Sequence, residues 1–329
     1  MMHDFAASRS HTVLLDLPLS LNPSNLLLNT PVVSYSPTTS SRFGILPRHA
    51  PDAVQWFSSS PCIIFHTAYA YNALQGLEET FNLVCCRLNS SRLVYAAGDL
   101  PSPPSQLLPA GVEDTCLLHY YRFSLSHPVD SERSSEPPPS HSFPLSAIPF
   151  EFPVVPIQHS MSPSQFVYGC SMRNGTFSAA LGKAAKIDCL VKIDSRALIA
   201  AGIKGGNGED EPVDERTVTE ILAGQQARRS DMGRPRSDRD TISVFALPEN
   251  VYAQEPSFVP RAGGTSEDDG WLLTYVFDEA QLDDSGDPMP GAKSELWVID
   301  AADMETVVAR VLLPQRGAPL HPSATSPYR

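Results

Sequence analysis

The sequence predicts an all-β chain of short antiparallel strands joined in order, and three observations carry that reading. Proline supplies 31 of 329 residues, and because it breaks helices and central strands it argues for short elements and many loops. Runs of β-branched and aromatic residues recur between clusters of Pro, Gly, Ser and Asp. The C-terminal third reads as strands in immediate succession, which is a meander. A sandwich, a barrel or a propeller all fit this pattern, and no repeat in the sequence chooses among them.

The first strand is His11 to Leu17, where Val13, Leu15 and Leu17 alternate onto one face. Cys62 to Ala68 is a compact apolar run with His66 inside it. Asn82 to Leu88 and Arg92 to Tyr95 read as two further strands, and adjacent Cys85 and Cys86 would then point to opposite faces. Leu117 to Phe123, Phe166 to Gly169 and Leu190 to Asp194 continue the series. Pro101 to Pro109 and Asp130 to Pro144 read as Pro/Ser-rich loops. One helix is expected after Asp214, with Val218, Ile221 and Leu222 on a face and Gly224 as its end. It lies in a polar stretch, Gly205 to Asp240, that reads as a surface excursion. Asp269-Gly270 is a turn before the strand Trp271 to Asp278. A polar loop, Glu279 to Lys293, leads to Ser294 to Asp300 and then Thr306 to Leu313. No linker divides the chain into two domains.

Apolar residues make up 42% of the chain, enough for a real core. The net charge of −13, from 24 basic and 37 acidic residues, argues against a nucleic-acid partner, which requires a basic footprint. No stretch approaches the ~18 apolar residues of a membrane span. Met1 to Phe5 has neither the basic flank nor the cleavage site of a signal peptide, so a cytoplasmic protein with reduced thiols is expected. The six cysteines contain no CxxC pair. Gly205-Gly-Asn-Gly lacks the preceding strand and the following Lys-Ser/Thr of a phosphate loop, and reads as a turn. The nine histidines are scattered. Scatter still permits a metal site assembled from separate strands. Taken alone, a histidine in an apolar strand, such as His66, is more often a satisfied core residue than a ligand.

Several motifs in order resemble the carotenoid cleavage dioxygenase family. They are Met2-His-Asp-Phe-Ala, Ser41-Arg-Phe-Gly-Ile-Leu-Pro-Arg, Pro61-Cys-Ile-Ile-Phe-His-Thr, Glu151-Phe-Pro and Leu190-Val-Lys-Ile-Asp. Glu255-Pro-Ser-Phe-Val-Pro-Arg, Glu267-Asp-Asp-Gly-Trp and Ser294-Glu-Leu-Trp-Val-Ile-Asp-Ala follow. Tyr168-Gly-Cys-Ser and Val213-Asp-Glu-Arg-Thr-Val look like the fungal branch. The resemblance runs from residue 2 to about residue 316 and leaves 317–329 as a divergent tail. It implies a seven-bladed β-propeller, here incomplete, with iron(II) on the axis held by four histidines. By motif His3 and His66 are two of those ligands and His321 a third candidate, with Glu151 and Glu255 orienting ligating histidines from behind.

The implied activity is oxidative cleavage of a carbon–carbon double bond in a carotenoid or apocarotenoid, with O₂ as co-substrate and two carbonyl products. A stilbene-cleaving enzyme of the same family and a catalytically inactive propeller remnant are the alternatives. The sequence departs from the family pattern in three places. It starts at the second ligand motif. His321 falls about one residue early and lacks the following Gly. Tyr69 and Asn72 stand where the family carries Asn and an acidic residue. Peripheral membrane contact, if any, is assigned to family regions that this chain lacks.

Overall fold

β1 (His11–Asp16) leads into a hairpin of β2 (Leu19–Leu21) and β3 (Val33–Tyr35). The chain returns as β4 (Ser41–Pro47) and β5 (Gln55–Ser59) to complete a sheet of order β1-β4-β5. These elements belong to a computed structural model that describes residues 2–28, 32–97, 113–125, 135–177, 186–230 and 240–314. The second sheet is an unbroken meander of β6 (Ile63–Gln75), β7 (Glu78–Leu88), β8 (Cys116–Leu125) and β9 (His141–Pro144). The third repeats the pattern with β10 (Glu151–Val154), β11 (Phe166–Ser171), β12 (Cys189–Asp194) and β13 (Ile242–Ala246). The fourth contains β14 (Val251–Ala253), β15 (Ser257–Pro260), β16 (Gly270–Asp278), β17 (Glu295–Asp300) and β18 (Val307–Leu312). Its order is β14-β16-β17-β18, with β15 also paired to β16. All the named strand pairs are antiparallel.

The cores lie between successive sheets, because strand alternation sends neighbouring residues to opposite faces. Val13, Leu15, Phe43 and Ile45 of the first sheet meet Phe81, Leu83, Cys85, Tyr121 and Phe123 of the second. The other face of the second sheet, with Val84, Cys86, Leu118 and Tyr120, joins Tyr168, Leu190 and Val191 of the third. That core continues to Leu272, Val276, Trp297 and Ile299 of the fourth. Cys85 and Cys86 therefore serve two different cores, as the alternation requires. All six cysteines are buried and free. Among the described residues the sheets are open and no pairing closes a ring.

Several sequence expectations are corrected. Arg92 to Tyr95 is not a strand: α1 (Arg92–Ala97) is helical, entered through Ser90, whose hydroxyl accepts from the Arg92 N–H at 3.3 Å. The apolar trio Leu-Val-Tyr fitted either element at so short a length. α2 (Ser195–Gly205) was not anticipated, although Asp194 caps it by accepting from the Ala197 N–H and Gly206 ends it at φ 72°.

The expected helix is α3 (Val218–Ser230). Its cap is Thr217, reciprocated by Glu220 in a capping box, while Asp214 pairs with Arg216. It runs through Gly224, and it is no surface excursion. Val218 and Ile221 are buried in the core, and Gln225 hydrogen-bonds both backbone groups of Val244 in β13. The end of the second Pro/Ser loop is strand β9, so Asp130 to Pro144 is not loop throughout. Residues 101–109 and 317–329 lie outside the described residues.

Candidate metal centre

His3 lies ahead of β1 and His66 lies on β6, yet their rings meet with centroids 5.1 Å apart at 86°. Two sets of bonds bring them together. The His3 Nδ1 is 3.0 Å from the Phe65 carbonyl oxygen. One residue on, the Asp4 carboxylate accepts from the Thr67 N–H at 2.8 Å and from the Thr67 hydroxyl at 2.7 Å. The N-terminal segment is thus stitched along β6 on either side of His66.

The tautomers follow from the partners. A carbonyl oxygen only accepts, so the His3 Nδ1 carries a proton and Nε2 is the ring nitrogen left for a metal. The His66 Nδ1 is 2.7 Å from Glu151 Oε2, and an ionised carboxylate likewise accepts, so Nδ1 carries a proton here too and Nε2 is the nitrogen that a metal would take from the neutral ring. Neutral imidazoles with a free nitrogen, one of them backed by a carboxylate, are the donor set that a divalent first-row metal takes. The two residues fit part of such a site. Among the described residues no group of three or more metal-capable side chains comes together.

Both strands that supply this geometry are bulged at the site. β6 pairs Ile64 with Arg87 and then Thr67 with Cys85, so Phe65 and His66 together face a single residue of β7. β10 pairs Glu151 with Cys170 and then Val154 with Tyr168, which leaves Phe152 and Pro153 opposite Gly169. Bulges of this kind re-aim side chains that strict alternation would send elsewhere. At the second bulge Phe152 adopts φ 55°, an uncommon conformation for an aromatic residue. It lets the Phe152 N–H donate to Glu151 Oε2 at 2.6 Å and sets the Phe152 ring 5.2 Å from that of His66. Gly169 is required opposite: a Cβ there would lie 2.5 Å from Phe150 Cζ and 2.9 Å from the Glu151 carbonyl.

Glu151 is 1% exposed and packs beside the Cys116 thiol, which lies 3.8 Å from its Oε1. Burial opposes the charged form of His66. The hydrogen bond and charge of Glu151, with the charges of Asp4 and Glu255, outweigh it and raise the His66 pKa above its ordinary value. Glu255 acts by charge alone: it is exposed, between β14 and β15, and forms no hydrogen bond to His3 or His66. His321 lies outside the described residues.

The departures at Tyr69 and Asn72 are structural. The Tyr69 hydroxyl meets Ser195 Oγ at 2.9 Å, and Asn72 binds His11 Nδ1 at 3.0 Å and Glu79 at 2.8 Å. Sequence reasoning missed Thr67, Phe152 and Cys116 as parts of the site. Thr67 and Phe152 each directly follow a residue singled out by motif, and Cys116 carries no local signal.

Residues 1–319 match the model of the retinal pigment epithelial membrane protein family, and the chain belongs to that family of carotenoid oxygenases. It is 43% identical to the carotenoid dioxygenase carX of Gibberella fujikuroi, over 96% of this chain and 49% of that one. The cobalt-substituted apocarotenoid oxygenase of Synechocystis superposes with a TM-score of 0.61 at 20% identity, over 98% of this chain and 52% of that one. The lignostilbene dioxygenase of Pseudomonas brassicacearum gives 0.62 at 19% identity, over 96% and 53%. The chain spans about half the length of the curated relatives it matches.

Proposed function

We propose that this chain forms the metal-binding sector of a non-haem iron(II) dioxygenase that cleaves a carbon–carbon double bond of a carotenoid or apocarotenoid. In this reading the stacked sheets are blades of a seven-bladed propeller, and His3 and His66 are two of the iron ligands. One observation carries it: two imidazoles from distant segments converge with both Nδ1 atoms engaged, one of them by a buried glutamate, which leaves each Nε2 as the nitrogen a metal would take. Iron(II), when bound, would activate O₂ for insertion across the double bond. The chain's own residues prepare for it. Glu151 fixes the tautomer of His66, the Phe65 carbonyl does the same for His3, and Phe152 screens the His66 ring. The name of the Gibberella fujikuroi relative supports the substrate class, and the cobalt-substituted Synechocystis structure supports a transition metal.

Among the described residues no helix is long and apolar enough to cross a membrane. We place the protein in the cytoplasm, where its six free thiols stay reduced. The test is anaerobic loading with iron(II) followed by metal analysis. A carotenoid, an apocarotenoid and a hydroxystilbene are then offered in parallel, with carbonyl products read by mass spectrometry. Bound iron that is lost in His3→Ala and His66→Ala, with aldehydes from the polyenes, is the expected result. Products from the stilbene alone would move the substrate to that class, and absence of bound iron would mark this chain as an inactive propeller sector.

A further inference from the structure

One cavity lies apart from the histidine pair. A pocket of about 410 Å³ opens where the end of β5, the segment before β9 and the loop after α2 approach one another. Its wall is hydroxylic: Ser58 and Ser59 end β5, Ser60 follows, Ser142 comes from β9 and Ser40 precedes β4. Glu136 and Glu209 are the charged groups of the lining, and Pro138 and Pro139 supply its apolar surface. None of His3, His66 or Glu151 takes part.

We propose that this pocket binds a neutral polyhydroxylated molecule of the size of a monosaccharide or a cyclic polyol. The pairing of the lining charges selects that class. Arg42 Nε lies 3.1 and 3.0 Å from the two Glu136 oxygens, while its Nη1 holds Asp16 at 2.9 Å. Arg87 Nη2 reaches Glu209 at 3.3 Å. Each lining carboxylate is thus already held by an arginine, and no cationic group of the lining faces the pocket, yet the carboxylate oxygens retain lone pairs that accept from hydroxyl groups. The Ser40 and Ser58 hydroxyls have no hydrogen-bond partner among the described residues and can donate or accept. Two proline rings provide the flat apolar surface against which the C–H face of a sugar ring packs.

The pocket is also built in advance. Glu209 Oε1 accepts from Ser59 at 2.8 Å and Ser142 at 3.4 Å, besides Arg87. Beneath it Arg87 is 9% exposed and held by the Ser60 hydroxyl at 2.6 Å. The fully buried His119 meets Ser142 Oγ at 3.0 Å. Polar groups fixed this way lose little freedom when a ligand arrives. The volume lies within the range of small-molecule pockets.

The test is ligand-observed saturation-transfer NMR on the full chain with glucose and myo-inositol, and with choline and inorganic phosphate as charged probes. Saturation of at least one polyol and of neither ion is expected. Ser58→Ala removes a hydroxyl that forms no hydrogen bond among the described residues, and should weaken polyol binding several-fold with the melting temperature unchanged. Glu209→Gln should weaken it about tenfold, the equivalent of one charge-assisted hydrogen bond. If Glu209→Gln does not fold, Ser58→Phe, which fills the pocket, takes its place and should abolish binding. Absence of polyol saturation, equal saturation of an ion, or polyol affinity unchanged in the variants would overturn the assignment.

Discussion

Replacing Glu151 by Gln changes almost nothing in shape and removes one charge from the site. The carboxylate is 1% exposed, so solvent cannot compensate its loss. It accepts from His66 Nδ1 at 2.7 Å and from the Phe152 N–H at 2.6 Å. Both donors meet the same oxygen, Oε2, so a glutamine oxygen there can accept from both, while its NH₂ group takes the place of Oε1 beside the Cys116 thiol. A charge-assisted bond becomes at best a neutral one, about half as strong. Carboxylates behind a metal-ligating histidine contribute roughly 10–100-fold to metal affinity, or ~1.4–2.7 kcal/mol. Glu151→Gln should therefore weaken cobalt(II) binding by that factor, read from the visible absorption of the bound ion. It should also lower the His66 pKa, read without metal from the imidazole C–H resonances. Glu255→Gln should move both far less, since Glu255 is exposed and reaches His66 only through space. Equal effects from the two variants, or an unchanged His66 titration in Glu151→Gln, would refute this division of labour.

Gly169→Ala should cost ~1–3 kcal/mol in urea denaturation and weaken cobalt binding, because the new methyl group overlaps Phe150 and the Glu151 backbone. Lys192 is 2% exposed, donating to Asp268 and, at 2.9 Å, to the Ala302 carbonyl. Lys192→Met leaves Asp268 unpaired and should destabilise by roughly 3 kcal/mol, part of which Asp268→Asn in the same chain recovers. His119 is held neutral, with its pKa well below 6.5, by burial and then by the Arg87 charge. The unfolded chain binds that proton more readily. Its contribution is therefore present above pH 6.5 and lost as pH falls below it, by up to ~1.4 kcal/mol per pH unit. His66, whose pKa is raised, contributes in the opposite sense: its share is present below its unfolded value and lost as pH rises through the folded one. The urea midpoint of His119→Asn should accordingly fall less between pH 7 and 5.5 than that of the parent, with His66 common to both. Parallel pH profiles would show that His119 is not kept neutral.

Strand positions were legible wherever one face is buried and the other is not. Val13, Leu15 and Leu17 alternate in sequence and are all buried in the structure. The meander of β16, β17 and β18 follows the turn at Asp269-Gly270 and the polar loop before Glu295. Alternation carried less information in β7, where residues 80–88 are buried without interruption because cores lie on both faces. Helices were the weakest part. α1 is six residues long, below the length at which periodicity speaks. α2 is flanked by a cap and a stop, Asp194 and Gly206, that look like the turn chemistry of any strand end. α3 was visible as a helix but not as part of the core. Its buried face consists of little more than Val218 and Ile221, and its Gln225 is buried through bonds to β13 that composition does not reveal.

The site divides along the same line. Motifs mark residue types, so His3, His66 and Glu151 could be singled out, whereas their convergence depends on two bulges that no spacing encodes. On a regular β6, His66 and Ile64 would share a face, and Ile64 is buried at 2% in the core between the first two sheets. The extra residue in β6 breaks that rule and leaves the His66 side chain 31% exposed, beside His3. A regular β10 would likewise alternate Glu151 against Phe152. The bulge, with Phe152 at φ 55°, brings both to the same imidazole. Glycine is what makes the second bulge possible, since Gly169 alone gives Phe150 and the Glu151 carbonyl room to approach β11. A glycine inside the apolar run Phe166 to Ser171 is the single trace of this geometry in the sequence. Read physically, it marks a close backbone approach rather than a weak strand.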